Sequence, residues 1–207
     1  MSHVRLPPFF ACAMSLALTA CLGSSRPSRF YTLAPLHAGD GAGPAAPDAT
    51  LAIGPVEIPD SIDRPQIVTR TGANELAFAE FDRWGGSLDS EISGSLIAAA
   101  RDRLASRQIA VAPWRSATLS GAGATYRAAV SISRFDGIPG QSVVLQGRWE
   151  LIAQSGESLG VKDATVREKI DGAGYDALVA AMQRALVRFG QQMADSVPTT
   201  AQTAKAP

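Results

Sequence analysis

The sequence predicts an α+β fold: a two-layer sandwich with a mostly antiparallel sheet and two main helices packed on one face. Three observations carry this expectation. Three segments between Tyr126 and Ile170 alternate apolar and polar residues with a period of two, so each has one buried and one solvated face. The turn pairs Asp136-Gly137 and Ser155-Gly156 stand between these segments and join them as a meander. Two further segments, around Leu88 and Tyr175, repeat apolar residues at helical spacing and need an apolar face to pack against.

In chain order, Phe30-Tyr31-Thr32-Leu33 is a short β-like patch. Residues 34–50 are dominated by Ala, Gly and Pro, the composition of a flexible stretch. The main body is expected over 51–197. Leu51, Ile53, Val56 and Ile58 suggest a strand that Pro55 breaks or bulges, because proline brings no N–H to a ladder. Gln66–Thr71 and Glu75–Phe81 read as a hairpin around Gly72-Ala73-Asn74. The first helix sets Leu88, Ile92, Leu96, Ala99, Ala100 and Leu104 at helical spacing. Ser87 suits its N-cap, Asp89 and Glu91 its positive end, and Arg101, Arg103 and Arg107 its negative end. Ile109–Ala112 is a short strand ended by Pro113.

The meander then follows. Tyr126, Ala128, Val130 and Ile132 form the apolar face of its first strand. Val143, Leu145, Trp149 and Leu151 form that of the second, and Ala164, Val166 and Ile170 that of the third. The last helix carries Tyr175, Leu178, Val179, Met182, Leu186, Phe189 and Met193 on one stripe. Residues 198–207 have no apolar periodicity and read as a disordered tail.

The first twenty residues have a different character. Arg5 is their only basic residue, and no acid occurs before Asp40. Phe9 to Leu18 is almost wholly apolar, about ten residues, where a bilayer span needs about 20. A basic start, a short apolar run and a small-residue exit describe a secretory signal over 1–20. The exit Leu18-Thr19-Ala20-Cys21 resembles the lipobox of bacterial lipoproteins, with a polar tether after it. The resemblance implies that Cys21 becomes the first mature residue and carries a thioether-linked diacylglyceryl group. Of the two cysteines, Cys12 leaves with the signal, so the mature chain keeps only Cys21. Leu22 follows it where an aspartate would favour the inner membrane, so the resemblance points to the outer one.

Composition removes several function classes. Lys+Arg and Asp+Glu are both 19, and removing Arg5 with the signal leaves 18 basic against 19 acidic residues. Nucleic acid needs a basic footprint that this chain lacks. Both histidines, His3 and His37, fall outside the body, which also has no cysteine; this removes Ser-His-Asp and Cys-His arrangements and almost every zinc site. No cofactor and no metal are implied. The enzyme reading that survives is an acid pair drawn from Asp60, Asp63, Glu80, Asp82, Asp89 and Glu91; the plainer reading is solvated loop and helix-start acids. Gly121-Ala122-Gly123 lacks the lysine and preceding strand of a phosphate loop, and Gly85-Gly86 separates hairpin from helix.

Three blocks read together point to a family: Ile53-Gly54-Pro55-Val56-Glu57-Ile58-Pro59, Ile62-Asp63-Arg64-Pro65-Gln66-Ile67-Val68-Thr69-Arg70, and Phe81-Asp82-Arg83-Trp84 before the helix. With Phe30–Leu33 close behind the lipid cysteine, the pattern resembles the ABC-type transport auxiliary lipoprotein family, which includes paraquat-inducible protein C. The resemblance implies a non-catalytic subunit on the periplasmic face of the outer membrane. Its partners would be a mammalian-cell-entry-type protein and ABC transporter components that move lipid between membranes, and homo-oligomers are possible. It also implies that Phe30–Leu33 is a strand of the domain and that 34–50 is a loop.

Asp63, Arg64, Pro65 and Arg70 are the candidate partner-facing residues. Arg64 offers a planar fork for a carboxylate or carbonyls, and Pro65 fixes the chain beside it. The structural alternative is a turn in which Arg64 pairs with Asp60 or Asp63. Trp84 is expected in the core where the helix begins. Two other functions remain open: a carrier holding lipid between helices and sheet, and a lipoprotein of an outer-membrane assembly or secretion complex.

Overall fold

The computed structural model describes residues 26–33, 44, 47–115 and 125–198. The signal segment, Cys21, most of the Ala/Gly/Pro stretch, Gly121-Ala122-Gly123 and the tail from 199 lie outside the described residues. Eight strands form one open sheet: β1 Arg29–Tyr31, β2 Ala49–Glu57, β3 Gln66–Arg70, β4 Leu76–Trp84, β5 Ile109–Pro113, β6 Tyr126–Ile138, β7 Ser142–Ala153 and β8 Ser158–Lys169. Helices α1 (Leu88–Leu104) and α2 (Gly174–Asp195) cover one face, α1 over β2 and β5, α2 over β6 to β8. The α+β sandwich expected from periodicity is the fold observed.

The sheet is mixed and is organised around β6. One edge of β6 pairs antiparallel with β7 along nearly its whole length, and β8 continues the meander. The other edge is shared by β2 and β3, both parallel to it. The longest ladders are therefore antiparallel, as the alternation implies. The parallel pairs join strands that are distant in sequence. One is β2 with β5, whose connection contains α1, since parallel neighbours need a crossover.

Two local expectations need correction. Asp136-Gly137 lies inside β6, and the chain turns at 139–141, where the Gln141 N–H donates to Ile138 O at 3.0 Å. The glycine serves packing instead: a Cβ on Gly137 would overlap the Leu178 side chain of α2. Ser87 does precede α1 in an extended conformation, but its hydroxyl meets Ser90 Oγ at 2.9 Å rather than a helix N–H. The bulge expected at Pro55 is present, as a register shift between Ile53 and Val56. A second shift between Ile132 and Arg134 reverses the alternation of β6, so Phe135 is buried and Arg134 and Asp136 share the opposite face.

The core lies between the sheet and the helices. Leu51 and Ile53 of β2, Ile132 of β6, Leu145 and Trp149 of β7, and Trp84 are buried there. They meet Ile92, Leu96 and Leu104 of α1 and Leu178, Met182, Leu186 and Phe189 of α2. Trp149 packs edge-on to Phe189, with centroids 5.2 Å apart, and donates from Nε1 to Ser196 Oγ at 2.9 Å. The helices touch closely at Gly190, where an added Cβ would stand 2.9 Å from Ala99 Cβ. Arg103 and Arg107 do not stay with their own helix end. Arg103 pairs with Asp195 at 2.7 Å, and Arg107 donates to Val197 O at 2.7 Å, satisfying a carbonyl past the end of α2.

Candidate functional site

Two regions could connect this domain to its surroundings: the segment that follows Cys21, and the loop and strand from Asp63 to Arg70. The first is clasped into the fold. Strand β1 pairs parallel with the end of β4, and the Gly85 N–H donates to Tyr31 O at 2.7 Å. Arg29 pairs with Asp82 at 2.8 Å, and the Tyr31 hydroxyl donates to the same carboxylate oxygen at 2.9 Å. Burial, then the Asp82 bond and charge, push the Tyr31 hydroxyl up to about 12. Next along the chain, Glu91 accepts from the Leu33 N–H at 2.9 Å and from Thr32 Oγ1 at 2.7 Å. Ser95 Oγ donates to Leu33 O at 2.7 Å, and Leu33 itself is fully buried. Phe30–Leu33 thus belongs to the domain. Two residues weighed as catalytic acids, Asp82 and Glu91, are its receptors.

The second region divides in two. Asp63 and Pro65 are exposed, and the Asp63 N–H and Pro65 carbonyl are used within the turn, with Pro59 O and the Trp84 N–H. Arg64 pairs with neither Asp60 nor Asp63. Its guanidinium lies over the Phe78 ring, 4.0 Å from the centroid, and its Nε has no hydrogen-bond partner. Arg70, at the far end of β3, turns to the fold. It reaches Asp136 at 2.9 Å and donates from Nη1 to Ala73 O at 2.9 Å. Arg134 meets Asp136 from the other side, also at 2.9 Å. Burial alone would raise the Asp136 carboxyl, but the bonds and charges of the two arginines outweigh it, and the group lies below its ordinary value.

Sequence reasoning weighed Asp82 and Glu91 only as acids and missed their role as receptors of the N-terminal segment, and it missed Ser95 and Asp136 altogether. A short aromatic segment placed before acids at a strand end and a helix start was the available signal for the first two. Asp136 gave none, because its partners are remote in sequence or masked by the turn-like Asp-Gly pair.

The sheet face away from the helices holds a shallow concavity of about 440 Å³ bordered by Ser131, Ser133, Gln146, Arg148, Asp163 and Thr165. Arg148 and Asp163 span it as an exposed ion pair at 3.0 Å. Among the described residues no three His, Cys, Asp or Glu side chains group as metal ligands, and no helix is long and apolar enough to cross a membrane.

Comparison with known proteins gives concordant results. Two solved structures share the fold. One, of an uncharacterised protein, has 21% identity and a TM-score of 0.69, over 84% of this chain and 100% of that one. The other, a protein of Xanthomonas campestris from the DUF330 family, has 20% identity and a TM-score of 0.65, over 86% of this chain and 100% of that one. No curated protein matches. The family model for the ABC-type transport auxiliary lipoprotein component matches residues 31–194, nearly all of the sheet and both helices, and the chain belongs to that family.

Proposed function

We propose that this protein is exported, lipidated on Cys21 after removal of residues 1–20, and held on the periplasmic face of the outer membrane. There it serves as a non-catalytic accessory subunit of a lipid transport system with a mammalian-cell-entry-type protein and an ABC transporter. The observation that carries this reading is the clasp. The chain enters the folded sheet at Arg29, eight residues after the lipobox-like cysteine, and is held by Asp82, Glu91 and Ser95. A force on the lipid anchor would pass directly into the sheet and α1. Such a construction suits a subunit that holds a machine against a membrane. Close contacts at Gly137 and Gly190 support a positioning role over a lipid carrier, because at those points helix meets sheet and helix meets helix without a gap.

Asp63, Arg64 and Pro65 form the partner-facing surface in this reading, with Arg70 fixing the strand behind them. The test is capture of the full-length lipoprotein from native membranes after mild cross-linking. Recovery of a mammalian-cell-entry-type protein or an envelope ABC component is expected. Recovery of neither, or membrane retention and unchanged processing of a Cys21→Ser chain, overturns the reading.

A further inference from the structure

The described residues leave two phenylalanines conspicuously wet: Phe30 is 68% exposed and Phe78 is 49% exposed. Both lie on the face away from the helices, at the corner made by β1, β4 and β3. Phe30 is in register with Arg83, which is in register with Gln66. Two residues along β3, Val68 is in register with Phe78. Arg64 stacks on Phe78, and the Nε atoms of Arg64 and Arg83 both lack hydrogen-bond partners. One exposed ring, Phe78, thus carries a guanidinium on its face, and the other, Phe30, stands in register with an arginine. An aromatic ring next to an arginine suits the boundary of a bilayer, where the ring meets acyl chains and the fork meets phosphate.

The anchor decides which surface can reach that boundary. Arg29 lies eight residues after Cys21. A stretch of that length spans at most about 28 Å. A domain of this size has a radius of gyration of about 15 Å and is roughly 40 Å across. The tether is thus shorter than the domain is wide, and β1 is where it joins. The β1 corner meets the bilayer far more readily than the opposite β8 edge. Exposed Asp60 and Asp63 precede Arg64 closely in sequence, so the patch is not strongly basic. Its contribution is orientation of a domain already held by lipid, rather than membrane affinity.

We propose that the corner formed by Phe30, Phe78, Arg64 and Arg83 rests in the headgroup layer of the membrane that holds the lipid anchor. The polar concavity and the β8 edge then point toward the periplasm. The proposal rests on lipidation at Cys21 and, of the partner-facing residues, sets only Arg64 against the bilayer, at the membrane-side rim of that surface, leaving exposed Asp63 and Pro65 to a protein partner. With Cys21 acylated, single cysteines at Phe30→Cys, Phe78→Cys and Val161→Cys can each carry a nitroxide label. The full lipidated protein is reconstituted in phosphatidylethanolamine–phosphatidylglycerol vesicles. Collision rates with oxygen and with a nickel chelate are compared by electron paramagnetic resonance. The expected result is a several-fold higher oxygen-to-nickel ratio at positions 30 and 78 than at 161, whose exposure in the domain lies between theirs. Equal, water-like ratios at all three positions in protein that floats with the vesicles and carries the diacylglyceryl mass overturn the proposal alone. Protein that neither floats nor carries that mass overturns the lipidation reading and the proposal with it.

Discussion

Replacing Arg70 with methionine separates structural support from partner contact at this position. Methionine keeps the apolar stem and removes the charge. The guanidinium gives Asp136 a 2.9 Å contact from Nη2 and two longer ones from Nε at 3.2 and 3.3 Å, and ties the hairpin turn through Ala73 O. The Asp136 side chain is only 3% exposed and that of Arg70 20%. A hydrogen bond to a charged group contributes about 1.5–3 kcal/mol, and breaking a fully buried pair costs about 3–5 kcal/mol. Arg134 still neutralises Asp136 in the variant, so the lower figure governs, and a loss of about 2 kcal/mol is expected. For a chain of this length that lowers Tm by about 4–8 °C. The loss depends on pH in a defined direction. The folded-state pKa of Asp136 is depressed, so its stabilising contribution is present above the unfolded value near 3.9 and is lost as pH falls through the folded value. The Tm difference between wild type and variant should be full at neutral pH and shrink below about pH 4. Thermal unfolding followed by circular dichroism across this range measures both. An unchanged Tm at neutral pH, with partner capture lost, would make Arg70 a contact residue and refute the reasoning.

Three other outcomes follow from the packing and the clasp. Gly190→Ala gains about 1 kcal/mol in helix propensity but sets a methyl 2.9 Å from Ala99 Cβ, and overpacking costs about 1–3 kcal/mol. Urea denaturation should show net destabilisation, partly relieved by Ala99→Gly in the same chain; a more stable single variant contradicts the close helix contact. Phe189→Ala removes a fully buried ring packed on Trp149 and should cost about 3–5 kcal/mol by the same measurement, with a loss under 1 kcal/mol counting against this core. Burial also raises the Tyr175 hydroxyl, so absorbance titration should show high-pH ionisation that Tyr31→Phe reduces by one tyrosine, the one near pH 12. Because the Tyr31 pKa is raised on folding, its contribution is whole below the unfolded value near 10 and is lost as pH rises through about 12.

Much of the fold was legible because burial on one side imposes a local period. The α2 stripe from Leu178 to Met193 and the alternation of β6 through Ile132 both follow it. Legibility ended where a residue answered to a distant neighbour. Asp136-Gly137 has turn chemistry, yet two arginines and Leu178 hold it in a strand. Ser87 has cap chemistry, yet Ser90 takes its hydroxyl. Asp82 and Glu91 looked like helix-start and loop acids, yet they receive Arg29, Tyr31 and Leu33 from more than fifty residues away. Of the candidate surface, Asp63, Arg64 and Pro65 were placed by their own turn. The inward path of Arg70 was set by the pairing of β3 beside β6.

By itself the sequence determined which segments are helical or extended, which side of each is apolar, and that the body has no histidine or cysteine to work with. These are properties of neighbours along the chain, and a period of two or of 3.6 records them. Only the tertiary structure decided that β6 is shared by β2 and β3 on one edge, that β1 docks parallel on β4, and that the segment from Arg29 to Leu33 is bound by two acids and a serine. Strand order and ion-pair choice depend on surfaces brought together by folding, and residues fifty positions apart leave no periodic trace of their contact.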